Sequence, residues 1–147
     1  FGYDHDRTYI QLGLKYFPEL RNRFKILNIE KQTPRKTDIS VISAALEHFC
    51  DPDRGLNNIL KSTKKIIFIR SFFGRKKIKK LFKDKKYVDN PYYVNQFTFS
   101  WLKNKLKKYD FKEMTIVKDL ATKGKKRLIY PEIKRKFYIV IAQKNVV

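Results

Sequence analysis

Short apolar runs of strand character alternate with stretches of helical period along the whole chain, and few architectures accept that order. Phe1 to Asp4 reads as the end of a strand. Thr8 can cap a helix in which Tyr9, Ile10, Gly13, Leu14 and Phe17 share one face, and Pro18 stops it. Phe24 to Asn28 and Asp38 to Ser43 alternate as strands, and Asp51-Pro52 then opens a helix with Leu56, Ile59 and Leu60 inward. Ile66 to Ile69 is a continuous apolar run, as expected of a strand covered on both faces. A helix is expected around Lys76 to Phe82. Another, capped by Thr98 or Ser100, turns Trp101, Leu102, Leu106 and Tyr109 inward, and Phe111 to Val117 and Phe137 to Ala142 close the chain as strands. The pattern is α/β, and right-handed crossovers make the first strands parallel. Ligands of such sheets bind beyond the carboxyl ends of the strands. That position falls to Asp4 and His5, Asn28 and Ile29, Ser43 to His48, and Arg70 to Phe73.

The 147 residues suffice for one domain, and no apolar stretch reaches the length of a membrane span. Cys50 has no cysteine partner, which suits a reducing cytoplasm, and two histidines with one cysteine are too few for a zinc site. A net charge of +21 invites a nucleic-acid reading. The plainer explanation leads: lysine is abundant everywhere and follows no periodic stripe. The densest basic run, Arg75 to Lys83, suits anionic lipid or an acidic substrate as well as nucleic acid.

The segment Thr37 to Pro52, an Asp-led apolar strand running into Leu46-Glu47-His48 and Asp51-Pro52, resembles the fourth strand and following turn of class I S-adenosylmethionine-dependent methyltransferases. Gly2-Tyr3-Asp4 looks like the acid-terminated second strand of that family. Asn95 to Ser100, the Trp101 helix and Tyr109-Asp110-Phe111 are similar to its late helix and sixth strand. The resemblance implies a Rossmann-like sheet, mostly parallel with an antiparallel last strand, and residues 1–147 as one partial methyltransferase domain. The glycine-rich loop of the family is missing: none of the five glycines forms Gly-x-Gly. The chain therefore reads as truncated, without the first strand, which in the family lies between the second and fourth. Alone it is expected to bind cofactor poorly and to be inactive.

The resemblance also implies roles. S-adenosylmethionine is the expected cofactor. Asp4, beside His5, takes the position that accepts both ribose hydroxyls, a natural task for a carboxylate; Asp6 is better placed to cap the helix. Asn28 stands where the adenine amino group is met, although a turn-forming asparagine explains it nearly as well, and Ile29 would lie against the adenine. Ser43 and Ala44 are small where cofactor and acceptor come close. His48 is the candidate base for an acceptor hydroxyl, against the alternative of a bond to a backbone group in its own turn. Residues 70–97 form the acceptor-side insertion, with Arg70, Phe72, Tyr93 and Asn95 as candidate substrate contacts; Phe72 and Tyr93 could equally pack the insertion onto the sheet. Tyrosines with amides suit a small-molecule or saccharide-precursor acceptor, methylated at oxygen. An RNA or other nucleic-acid methyltransferase is the second reading. Ser43 to Leu46 lack the Asn/Asp-Pro-Pro-aromatic text of base-nitrogen methylases. A non-enzymatic basic nucleic-acid-binding module ranks last, because the strands carry aliphatic rather than stacking side chains.

Overall fold

The computed structural model describes residues 1–85, 91–130 and 133–144. A parallel pair, β1 (Gly2–Asp4) and β2 (Phe24–Ile26), is linked by helix α1 (Arg7–Tyr16). β3 (Thr37–Ser43), α2 (Pro52–Ser62) and β4 (Thr63–Phe72) form a second parallel unit. Two short strands follow, β5 (Leu81–Phe82) and β6 (Tyr92–Tyr93), then α3 (Phe99–Lys108) and β7 (Phe111–Lys118). A hairpin of β8 (Arg127–Tyr130) and β9 (Ile133–Arg135) leads to β10 (Phe137–Lys144).

The main sheet has the order β3-β4-β10-β7, and β1-β2 is a separate sheet. β10 is antiparallel to both of its neighbours, so β3, β4 and β7 run one way and β10 alone runs back. By direction the sheet is mostly parallel with an antiparallel last strand; counted by pairs it is mixed.

The helices start where their side chains can satisfy free backbone N–H groups. Asp6, not Thr8, caps α1, its carboxylate accepting from Thr8 N at 2.7 Å. Asp51 caps α2 by accepting from Arg54 N at 3.0 Å, with Pro52 in the first turn, and Thr98 caps α3 at Trp101 N. α2 and α3 put Leu56, Ile59, Leu60, Leu102 and Leu106 against Ile42, Ile67, Ile69, Val140 and Ala142 on one sheet face. A smaller second core joins Phe72, Phe82, Val94 and Ile133.

Three further expectations fail. Residues 76 to 82 are not helical: Ile78 bridges Gln96 and Leu81-Phe82 pair with Tyr92-Tyr93, because Phe82 is drawn into the second core. The Ile66 to Ile69 strand is fully buried only at Ile67 and Ile69; Ile66 and Phe68 face the sheet side that α2 and α3 do not cover and are half-buried. In α1, Ile10, Gly13 and Leu14 are half-buried, whereas Tyr9 and Phe17 are exposed, the helix packing on the small β1-β2 sheet and on the turn that follows it.

Candidate functional site

The carboxyl ends of β1, β2 and β3 are tied into one region by the loops that follow them. Leu27 N donates to Asp4 O at 2.8 Å, holding the two short strand ends side by side. Beyond β2, Asn58 of α2 donates to Ile29 O at 2.8 Å, and Asp51 N donates to Glu30 Oε1 at 2.7 Å. Asp51 follows β3 and caps α2, so the segment after β2 abuts the segment after β3.

Asp4 is half-buried, and its Oδ1 accepts from Asp6 N at 2.9 Å while exposed His5 lies 3.6 Å from that same oxygen. Asn28 Oδ1 accepts from Glu30 N at 3.0 Å, and Asn28 O takes Lys31 N and Gln32 N, so this asparagine organises its own turn. Ile29 packs on the main core through the α2 contact.

Ser43 and Ala44 are exposed at the end of β3. Ala44 has φ 51°, a left-handed conformation that costs a non-glycine residue about 1 kcal/mol, and Ala44 N is held by Arg70 O at 2.9 Å. The chain thus turns sharply out of the strand. His48 is exposed, and its Nδ1 lies 2.8 Å from Tyr93 O, with its ring edge-on to Tyr92 at 5.1 Å. A carbonyl only accepts, so the proton sits on Nδ1 and neutral His48 presents an Nε2 lone pair. The backbone group it binds belongs to the insertion, not to its own turn.

The insertion residues divide. Tyr93 is half-buried, with Lys79 Nζ 4.8 Å from its ring centre, and a hydrogen bond with the Cys50 side chain raises its hydroxyl above the usual tyrosine range. Asn95, 2% exposed, donates through Nδ2 to Phe49 O and through its backbone to Glu47 O, clipping the insertion onto the turn after β3. Its Oδ1 has no hydrogen-bond partner among the described residues. Asn95 also lines a cavity of about 310 Å³ with Cys50, Asp51, Asp53, Lys77 and Phe97. Phe72 is enclosed in the second core against Phe137. Arg70 is bound to buried Asp119 at 2.6 Å and stacked over Phe137 at 4.1 Å, where it borders an apolar depression of about 360 Å³ with Val41, Ser43 and Ile139. The structure therefore brings Asp4, Asn28, Ile29 and the Ser43 to His48 turn toward one end of the molecule and joins His48 to Tyr93. Phe72 and Arg70 are engaged within the protein.

Two carboxylates gain a role that the sequence did not assign them, Glu47 inside the nominated turn and Asp119 outside it. Glu47, 1% exposed, accepts from Ser71 Oγ at 2.7 Å, and burial pushes its carboxyl above the usual glutamate range despite that bond and the nearby His48 and Arg70. Asp119 is held below its usual range by the Arg70 hydrogen bond, burial opposing it, with Thr122 adding two further bonds. Neither had a local signal. Ser71 is 24 residues from Glu47 and Arg70 is 49 residues from Asp119.

The sheet and its crossovers define an α/β protein of the Rossmann-like class. Solved structures narrow this. A S-adenosylmethionine-dependent methyltransferase from Methanosarcina mazei superposes with a TM-score of 0.69 at 17% identity, over 99% of this chain and 82% of its own. Magnesium protoporphyrin IX methyltransferase from Synechocystis PCC 6803, with its cofactor bound, gives 0.62 at 10% identity, over 98% and 58%. The cyclase SpnF gives 0.64 at 15% identity, over 99% and 66%. The chain has the fold of class I S-adenosylmethionine-dependent methyltransferases. No protein-family profile and no curated sequence matches it.

Proposed function

We propose that the protein is a S-adenosylmethionine-dependent methyltransferase of a small-molecule or saccharide-precursor acceptor, transferring the methyl group to oxygen. The observation that carries this is the convergence of the β1, β2 and β3 carboxyl ends through the Asp4–Leu27 and Glu30–Asp51 hydrogen bonds. A shared fold alone does not fix the chemistry, since a cyclase also has it.

The residues present fit part of the cofactor. Asp4 has a half-exposed carboxylate for two ribose hydroxyls, and Ile29 offers an apolar side chain for the adenine ring. Asn28 keeps acceptor capacity on Oδ1 beside the Glu30 bond, because an amide oxygen takes two donors. When bound, S-adenosylmethionine supplies an electrophilic methyl group. His48 Nε2 then receives the acceptor's hydroxyl proton, while Tyr93 O fixes the imidazole. Exposed Ser43 and Ala44 leave room for approach, and the orphaned Asn95 Oδ1 beside the cavity suits a hydroxyl or amide donor of the acceptor.

We place one further parallel strand between β1 and β3, joining the two sheets. The two parallel pairs lie in separate sheets, with β3 at the edge of the main one. Without that strand the chain binds cofactor weakly. Titration of S-adenosylhomocysteine into labelled protein, followed by amide NMR shifts, tests both points. Shifts confined to Asp4, Asn28, Ile29, Ser43 and Ala44 at high ligand concentration are expected. Shifts elsewhere, or none, would overturn the site, and tight saturation would overturn the need for another strand.

A further inference from the structure

The turn between β7 and β8, with the hairpin after it, combines side chains that neither core uses. Leu120 is 85% exposed and Leu128 62%. Lys118, Lys123, Lys125, Lys126, Arg127 and Lys134 are exposed around them. The acid of the turn, Asp119, is buried against Arg70 and offers no counter-charge at the surface.

These residues are held in place. Lys123 N to Leu120 O (3.1 Å), Gly124 N to Asp119 O (3.1 Å) and Lys125 N to Thr122 O (2.9 Å) close the turn. Lys123 and Gly124 both take positive φ, at 49° and 64°. A Cβ on Gly124 would meet Lys118 Cδ at 2.9 Å, so the Lys118 side chain lies across the turn. On the hairpin, Ile129 and Ile133 face the second core, whereas Leu128 and Lys134, paired across the strands, face outward.

A leucine in water gains nothing, and two of them set among cations match one kind of partner: a surface with anionic headgroups over an apolar interior. Nucleic acid supplies the phosphates, but single strands are gripped by stacking on aromatic rings. Among the side chains described, the large exposed aromatics, Phe1, Tyr9, Tyr16 and Phe17, lie in or beside β1 and α1. We propose that this turn and hairpin dock the protein on an anionic lipid bilayer, Leu120 and Leu128 entering the headgroup–acyl boundary and the lysines and Arg127 lying among the phosphates. The inference does not depend on the methyltransferase reading.

Flotation with vesicles of three parts phosphatidylcholine to one part phosphatidylglycerol tests it, against phosphatidylcholine alone, at low and physiological salt. The protein should float with the anionic vesicles and lose binding as salt rises. A Leu120→Ser/Leu128→Ser variant should bind about tenfold more weakly, and Lys125→Gln/Lys126→Gln roughly fivefold more weakly for each charge removed. Both variants touch only exposed side chains, and unchanged circular dichroism and thermal midpoint would show that folding is intact. Failure to float with anionic vesicles overturns the proposal. So does flotation indifferent to the leucines, or tighter binding to generic single-stranded RNA that the leucine variant leaves unchanged.

Discussion

Glu47 shows how one buried side chain can tie a strand and an inserted segment to the same turn. It is buried beside the candidate base His48, it binds Ser71 of β4, and its carbonyl receives Asn95 N of the insertion. Because burial raises its pKa, the folded state holds the proton more firmly than the unfolded chain. Its favourable contribution is therefore complete below the unfolded glutamate value and declines as pH climbs through the folded one. Glu47→Gln keeps the acceptor for Ser71 and removes the titration. The variant should gain stability relative to the parent as pH rises through that window, read from urea midpoints across a pH series. A constant difference at all pH values would contradict this. Glu47→Ala instead strands the Ser71 hydroxyl and opens a gap, at a cost of about 2 kcal/mol.

At the scale of elements, the Arg70–Asp119 pair fastens the end of β4 to the turn after β7. Asp119→Asn leaves the guanidinium without its counter-charge on Phe137 and should cost about 2–3 kcal/mol in chemical denaturation. Asp119 contributes above its ordinary carboxylate range, and that stability fades as pH falls through its lowered value, so the mutational cost should shrink in acid. A cost that persists unchanged at low pH would point to packing rather than charge. Elements whose signal is local were legible in the sequence: the Asp51-Pro52 helix start, the Thr98 cap, the apolar β4 run and the closing strands all stand where their periodicity puts them. The run from Lys76 to Phe82 reads as a helix because its apolar spacing fits one. Its fate is decided by partners ten or more residues away, Gln96, Tyr92 and Tyr93, which take it into strand pairing. For the candidate site, chain order at the strand ends was enough to nominate Asp4, Asn28 and the Ser43 to His48 turn. The partners that define them chemically, Tyr93 O for His48 and Asp51 N for Glu30, come from tertiary contact and leave no trace in spacing.

At the scale of the whole molecule, α2 and α3 cover one face of the main sheet, and among the described residues the side chains of β3 on the other face stand exposed. Cross-strand registers line up Ile39 with Ile66, Val41 with Phe68 and Ile141, and Arg70 with Ile139 and Val117 on the face opposite α2 and α3. Ile39 and Val41 are 52% and 70% exposed there, an unusual setting for adjacent β-branched side chains. If that face is open in solution, Val41→Lys removes apolar surface without disturbing packing. It should leave the urea-derived stability within about 0.5 kcal/mol while lowering the fluorescence of a bound apolar dye and any self-association in sedimentation. Ile67→Ala, one strand over on the helix-covered face, should cost about 3 kcal/mol. The two substitutions probe opposite faces of one sheet. A Val41→Lys penalty approaching that of Ile67→Ala would mean that the first face is already occupied.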